Sequence, residues 1–151
     1  MMKLRPANTD DLVPMFDIHR SVFRSHIDEL WGWNEDWQRG NFASECAAED
    51  TSVVEIDGDI AGYIQILERE DEIYVQNIAI SADVQGKGIG TMLLKSLQSR
   101  AEILKVPLRL EVFRSNKPAQ RLYERLGFGN VGETRTHIEL SWTGSHFSSR
   151  G

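Results

Sequence analysis

A single cysteine, Cys46, stands in 151 residues, so no intrachain disulfide can form and a small disulfide-stapled scaffold is excluded. No stretch approaches the roughly 18 apolar residues of a membrane span, and Met1 to Asp10 holds no apolar core of a secretion signal. Those two absences predict a cytoplasmic protein with no membrane partner. Basic charge is short as well. Seventeen Lys plus Arg against 23 Asp plus Glu leave a net charge of −6, which argues against affinity for a phosphate backbone and removes nucleic acid from the expected partners. His19, His26, His137 and His146 with Cys46 show no metal-ligand spacing, so no metal is expected. No serine sits in a G-x-S-x-G nucleophile elbow, and no internal repeat is present.

What is there reads as one α/β domain over residues 1–143, followed by a Ser- and Gly-rich tail, 144–151, expected to be frayed or disordered. Lys3 to Pro6 is a short strand. Thr9-Asp10-Asp11 offers capping oxygens to a helix whose Leu12, Met15, Phe16, Val22 and Phe23 recur at helical spacing, with His19 on the same face. A loop rich in Trp and acid, His26 to Trp37, leads to a second helix ending before Asp50. Ser52–Ile56, Ile60–Leu67 and Glu72–Ile80 alternate as strands, and Asp57-Gly58-Asp59 supplies the first turn. From Gly90 the pattern Met92, Leu93, Leu94, Leu97, Ala101, Leu104 is a helix, followed by a strand, Leu108–Phe113, so that strand, helix and strand imply a parallel crossover. Pro118 opens a further helix that Gly127 is placed to end, and two strands close the chain.

The strongest chemical signal is Gln85-Gly86-Lys87-Gly88-Ile89-Gly90-Thr91, set between a strand and a helix. Alternate glycines let a ligand approach the backbone, and the helix N-terminus behind them presents N–H groups and a positive dipole end, which together suit a pyrophosphate. A plain Gly-rich turn would look the same from spacing alone. A Walker loop fits poorly, because Lys87 is followed by Gly88 rather than Ser or Thr. A dinucleotide fingerprint fits poorly too, since the spacing is G-x-G-x-G and antiparallel strands precede it.

Asn77-Ile78-Ala79-Ile80 followed by Gln85-Gly86-Lys87-Gly88-Ile89-Gly90 resembles motif A of the GNAT acetyltransferases, and Asn116 to Phe128 resembles motif B. The order of elements agrees to about Trp142. The resemblance implies a mixed sheet of six to seven strands flanked by about four helices and splayed between the fourth and fifth strands. It implies direct transfer of an acetyl group from acetyl-CoA to a primary amine through a tetrahedral intermediate. The cofactor would be held by Ile78, Ala79 and Ile80 of the fourth strand, by Gln85, Gly86, Lys87, Gly88, Ile89, Gly90 and Thr91, and by Asn116, Ala119 and Tyr123. Tyr123 matches the family's usual general acid, and a phenol, protonated at neutral pH, can return a proton to the departing thiolate. Without the motif it reads as a core tyrosine. A homodimer is left open.

The base and the acceptor are less defined. Where the histone-directed branch of the family carries Glu, this chain has Tyr74. Glu72, Tyr74 and Gln76 share one strand face, which makes Glu72 a candidate base and Tyr74 and Gln76 candidate acceptor contacts; His137 and Glu111 are further candidate bases. Trp31, Trp33 and Trp37 lie among Asp28, Glu29, Glu35 and Asp36, a composition that suits a cationic amine. Equally, these Trp residues would pack the helices on the sheet, the reading favoured for Trp37. The acceptor expected is a small molecule. The competing class is a sensor module that holds CoA or an acyl-CoA and transfers nothing, and ATP or NAD in the Gly loop is a third reading.

Overall fold

The computed structural model describes residues 2–48 and 50–144. Its elements are β1 (Met2–Pro6), α1 (Leu12–Trp31), α2 (Glu35–Ala48), β2 (Asp50–Ile56), β3 (Asp59–Glu68), β4 (Ile73–Ile80), α3 (Ile89–Leu104), β5 (Leu108–Phe113), α4 (Lys117–Arg125), β6 (Gly129–Glu133) and β7 (His137–Trp142). The seven strands lie in the order β1-β2-β3-β4-β5-β7-β6. Among the described residues, those of 2–66 with 77–89 pack as one compact unit, and those of 67–76 with 90–144 as a second. The tail expectation falls mostly on 145–151, outside the described residues; Gly144 is described and is buried.

In the first unit a short 3-10 turn, Thr9–Asp11, leads straight into α1 and carries a reciprocal cap at its own start. Asn8 Oδ1 accepts from Asp10 N (2.9 Å), and Asn8 N–H donates to Asp11 Oδ2 (2.8 Å). Asn8 caps that turn, and Asp11, one of the expected residues, stands at the N-cap of α1, but its carboxylate accepts from Arg5 (2.7 and 2.8 Å) and Asn8 N rather than from the helix. The expected loop over His26 to Trp37 is mostly helix. Ile27 extends the apolar stripe of Phe16, His19 and Phe23, so α1 runs on to Trp31. It stops where Gly32 takes φ +80°, its N–H donating to Asp28 O (3.1 Å). Only residues 32–34 separate the helices, because Asn34 Oδ1 accepts from Trp37 N (2.9 Å) at the start of the next one.

The core of this unit is Met15, Phe16, Ile18, Phe42, Val53, Tyr63 and Ala79. Each fully buried large side chain contributes about 1.5–3 kcal/mol. The strands β2 and β3 pair antiparallel around Asp57-Gly58, both at positive φ, as a two-residue hairpin turn requires. A Cβ at Gly62 would lie 2.8 Å from Ala79 O and 2.9 Å from Ile80 Cδ1, so β3 and β4 approach too closely there for any side chain.

In the second unit, β4 and β5 pair in parallel as the crossover predicts, at Ile73↔Leu108, Tyr74↔Arg109 and Val75↔Leu110. The recorded ladder covers only the first part of β4, which runs on to Ile80. The hairpin partner β7 pairs antiparallel with β5 along its whole length, Leu108↔Trp142 to Phe113↔His137, and β6 pairs on its far side. Leu94, Ala101, Leu108, Leu110, Val112, Tyr123, Phe128 and Leu140 are buried. As expected, Pro118 stands in the first turn of α4, while Gly127 at φ +93° ends it and donates to Glu124 O (3.0 Å). Among the described residues no helix is long and apolar enough to cross a membrane.

Candidate acyl-transfer site

The glycine loop has the conformation its composition predicts. A short 3-10 turn, Ala82–Val84, brings the chain to Gln85; Gly86 and Gly88 then take φ +82° and +80°, and α3 begins at Ile89. Gln85, Gly86, Lys87 and Gly88 are exposed, and a Cβ built on either glycine would meet nothing within 4 Å. The backbone is therefore bare in front of the helix N-terminus, which Gly90 and Thr91 continue. Gln85 has a local task as well, since its Nε2 donates to Ile80 O (2.9 Å) and ties the loop to the end of β4. Ala79 is buried, while Ile78 and Ile80 on the opposite strand face are half-buried.

Asn116 caps α4, its Oδ1 accepting from Ala119 N (3.3 Å). One helical turn on from Ala119, Tyr123 is 7% exposed and packs edge-on to Phe128, with ring centroids 5.7 Å apart. Its hydroxyl has no hydrogen-bond partner among the described residues, an unusual state for a buried phenol. Burial pushes its pKa up to about 12, so the group keeps its proton through the neutral range.

A hollow of about 370 Å³ opens on the polar face of the second unit's sheet, lined by Arg69, Glu72, Tyr74, Arg109, Leu110, Glu111 and Glu139. Alternation along the strands puts the charged side chains and Tyr74 there, because Ile73, Val75, Leu108 and Leu140 fill the opposite face. Glu72 is taken up by two arginines, Arg69 Nη1 at 2.5 Å and Arg109 Nη1 at 3.6 Å. Glu111 and Glu139 are direct cross-strand partners, and neither has an ion-pair partner among the described residues. Like charges so placed are normally destabilising. Gly132 leaves room for one of them, since a Cβ there would lie 2.8 Å from Glu139 Oε2. Burial, reinforced by Glu111, Glu139 and Glu72, pushes the Tyr74 phenol up to about 12.

The structure thus gathers Glu72, Tyr74 and Glu111 from the sequence-derived candidates. Arg69, Arg109 and Glu139 were not among them. Gln76 is exposed on the same strand face, beyond the recorded ladder. His137 stands one same-face step along β7 from Glu139, opposite Phe113, whose ring lies 4.4 Å away, and it shares a hydrogen bond with Thr136 Oγ1 (2.8 Å).

The Trp-rich turn in the first unit is built differently. Trp33 packs on Phe16 and His19, with centroids 6.4 and 6.0 Å apart, and Arg24 covers its ring at 5.7 Å. Its indole N–H donates to Glu35 Oε1 (2.8 Å). Glu35 also receives Arg20 and Arg39; Arg20 above all, then Trp33, draws its carboxyl down to about 2. Asp28 accepts from Trp33 N (3.0 Å). Trp31 is 58% exposed, and Trp37, expected to pack, is 61% exposed. The reason is the short turn: with α2 beginning at Glu35, it is Gln38 and Phe42 that face the core.

Residues 12–128 match the profile of the Acetyltransferase (GNAT) family. The chain belongs to the GNAT acetyltransferase family. It is a GNAT N-acetyltransferase, and the family's acyl donor is acetyl-CoA. A Bacillus subtilis (strain 168) protein named for N-acetylating the alanine of ribosomal protein bS18 is 30% identical over 131 residues, covering 82% of this chain and 78% of that relative. The spermine/spermidine N(1)-acetyltransferase of the same organism is 29% identical over 143 residues, covering 87% and 90%. The crystal structure of the PaiA N-acetyltransferase of Thermoplasma acidophilum in complex with coenzyme A superposes with a TM-score of 0.78, over 95% of this chain and 99% of that one. At 15% identity that likeness speaks for the GNAT fold alone.

Two features of this GNAT chain fit acetyl-CoA. The bare, positive-φ glycines before α3 leave space for a pyrophosphate, and the Tyr123 hydroxyl is a donor with no acceptor among the described residues.

Proposed function

We propose that this enzyme acetylates the primary amine of a small molecule that carries a second positive charge, by direct transfer from acetyl-CoA. The hollow carries the acceptor half of the reading. Its two carboxylates, Glu111 and Glu139, lack a cation among the described residues, whereas Glu72 already has two. An ammonium group would relieve the repulsion between them. The names of two relatives divide the alternatives: one is a polyamine acetyltransferase, the other is named for the alanine of a ribosomal protein. A recess of about 370 Å³ favours a small acceptor over an extended peptide.

The donor half assigns Ile78, Ala79 and Ile80 through their backbone to the pantetheine end, and the amides of Gln85 to Thr91 to the pyrophosphate. Asn116 and Ala119 present the head of α4. Bound acetyl-CoA supplies an activated acyl group with a thiolate leaving group. Tyr123 holds the proton that the thiolate needs, and its raised pKa keeps that proton in place until transfer. His137 takes the proton of the attacking amine, Glu72 acts as an anchor for Arg69 and Arg109, and Tyr74 and Gln76 border the acceptor.

Two experiments test this. Thermal unfolding with acetyl-CoA, CoA, ATP and NAD should show a rise with the two CoA species only; a ligand at about 100 times its Kd adds about 2.7 kcal/mol. A rise confined to ATP or NAD overturns the donor assignment. Turnover should then be highest with diamines and polyamines, lower with monoamines, and lowest with a peptide bearing an N-terminal alanine. Faster turnover of the peptide would transfer the acceptor role to a protein, and CoA binding without any turnover would leave a sensor. Tyr123→Phe should lower kcat by about 10²-fold with KM and Tm little changed. An unaltered kcat removes Tyr123 as the acid.

A further inference from the structure

In the first unit, the end of β4 is held by a polar side-chain chain that no part of the acetyl-transfer reading uses. Gln65 on β3 has no exposed surface, a costly position for a primary amide unless its groups are paired. Its Oε1 accepts from Asn77 Nδ2 (2.7 Å), and its Nε2 donates to Cys46 Sγ of α2 (3.3 Å). Asn77 Nδ2 also lies 3.5 Å from Glu45 Oε2, and Asn41 of α2 holds that same carboxylate through Oε1 (2.7 Å). Asn77 sits two residues beyond Val75, where the recorded ladder to β5 ends, and one residue before Ile78. Two residues further on, the bare Cα of Gly62 lets β3 close on Ala79 and Ile80, and Ser81 N donates to Ala61 O (2.8 Å).

We infer that the Gln65–Asn77 amide pair is a positioning device: it fixes the backbone of Ile78 to Ile80 where the strand continues past its recorded ladder, so that those N–H and C=O groups are already aimed when acyl-CoA arrives. The inference rests on the proposed use of that backbone. A preorganised N–H directed at developing negative charge works only if it does not have to move during reaction. A strand held on both sides has that rigidity from its ladders, whereas this stretch has β3 on one side only, and the side-chain pair adds to that single support. A buried amide pair suits the task because its geometry is directional: an apolar pair would fill the volume without fixing how far the strand slides or rotates. Neither Gln65 nor Asn77 is a catalytic residue in this account. Both act through the residues that follow.

The test uses Asn77→Ala, Gln65→Leu and the double variant. Amide hydrogen exchange of Ile78 to Ile80 in the ligand-free protein should speed up about tenfold in each variant, with β2 exchange unchanged; equal exchange in variant and wild type overturns the tether. In turnover, kcat should fall about tenfold while the KM for the acceptor and the thermal shift by CoA stay near wild type, because the glycine loop is untouched. The double variant should be no worse than the poorer single one, as expected for one shared interaction. A lower Tm with normal kcat would make the pair a structural contact only, and additive losses would break the coupling. Failure of the acetyl-transfer reading has a separate signature: wild type without CoA shift or turnover, whatever the exchange arm shows.

Discussion

Two regions of the molecule combine acidic and aromatic side chains in the way a cationic amine would need, and they are built to opposite rules. Around residues 28–37 the two acids that touch Trp33, Asp28 and Glu35, are already satisfied, while Glu29 and Asp36 have no ion-pair partner among the described residues. Glu35 receives Arg20, Arg39 and the Trp33 indole, Asp28 receives a backbone N–H, and Arg24 covers Trp33. Across β4, β5 and β7 the acids outnumber their partners: Arg69 and Arg109 both go to Glu72, leaving Glu111 facing Glu139. Composition is similar in the two places, but only the second sets two unpartnered acids directly opposite each other in a hollow. A neutralised acid is part of the scaffold, whereas two carboxylates held face to face at the cost of their repulsion have something to gain from a ligand.

The sharpest way to break this contrast is to remove charge from each region in turn. Glu111→Gln with Glu139→Gln should raise the KM of a diamine about 10- to 100-fold, the range for losing a charge-assisted hydrogen bond of about 1.5–3 kcal/mol. Tm should hold or rise, because a repulsion disappears. Glu35→Gln should do the reverse: KM unchanged, with a Tm that falls modestly, since exposed ion pairs contribute little. Steady-state kinetics beside thermal unfolding checks both, and a raised KM in Glu35→Gln would return the acceptor to the turn.

A smaller effect separates the tryptophans within the turn. Trp33→Ala should cost about 2 kcal/mol, below the 3–5 of a full core aromatic because the ring is only half-buried against Phe16 and His19. Trp31→Ala at 58% exposure should stay within about 0.5 kcal/mol and leave KM alone. Urea titration reads both, and a Trp31 variant that loses amine affinity would contradict the contrast.

How far these regions could be read from sequence follows from what each depends on. The glycine loop was legible because positive φ at Gly86 and Gly88 demands glycine, so the conformation is written in the residue itself. Strands and crossover were legible from alternation and turn residues, as Asp57-Gly58 illustrates. The turn was misread because its Trp and acid content outweighed a periodicity that Ile27 continues, with Gly32 as the true stop. The hollow depends on register. That Glu139 faces Glu111 follows from β7 lying between β5 and β6, which neither strand's own sequence states. Gln65 could have been noticed, since it shares the inward face of Tyr63, but its partner Asn77 depends on how β3 and β4 are aligned.

The smallest expected effect concerns His19, which should make the turn region acid-sensitive. His19 is buried, its Nδ1 3.2 Å from Tyr63 OH and its Nε2 3.2 Å from Gln38 Oε1, with Phe16, Phe23, Trp33 and Phe42 around the ring and the charge of Arg20 acting on it. Burial first, and Arg20 to a lesser degree, lower its pKa below the usual 6.5, against the raising influence of Gln38. The unfolded chain therefore binds this proton before the folded one does. Stability contributed by neutral His19 is present above about pH 6.5 and is lost as pH falls toward the depressed folded value. Unfolding free energy should decline between pH 7 and 5, above the range where Asp11 and Glu35 are protonated. His19→Phe should be less stable at pH 7, because Tyr63 and Gln38 lose a partner, yet flatter over that interval. An equally steep decline in His19→Phe would mean that other groups carry the acid response, and the turn would lose its claim to be held from within by a neutral imidazole.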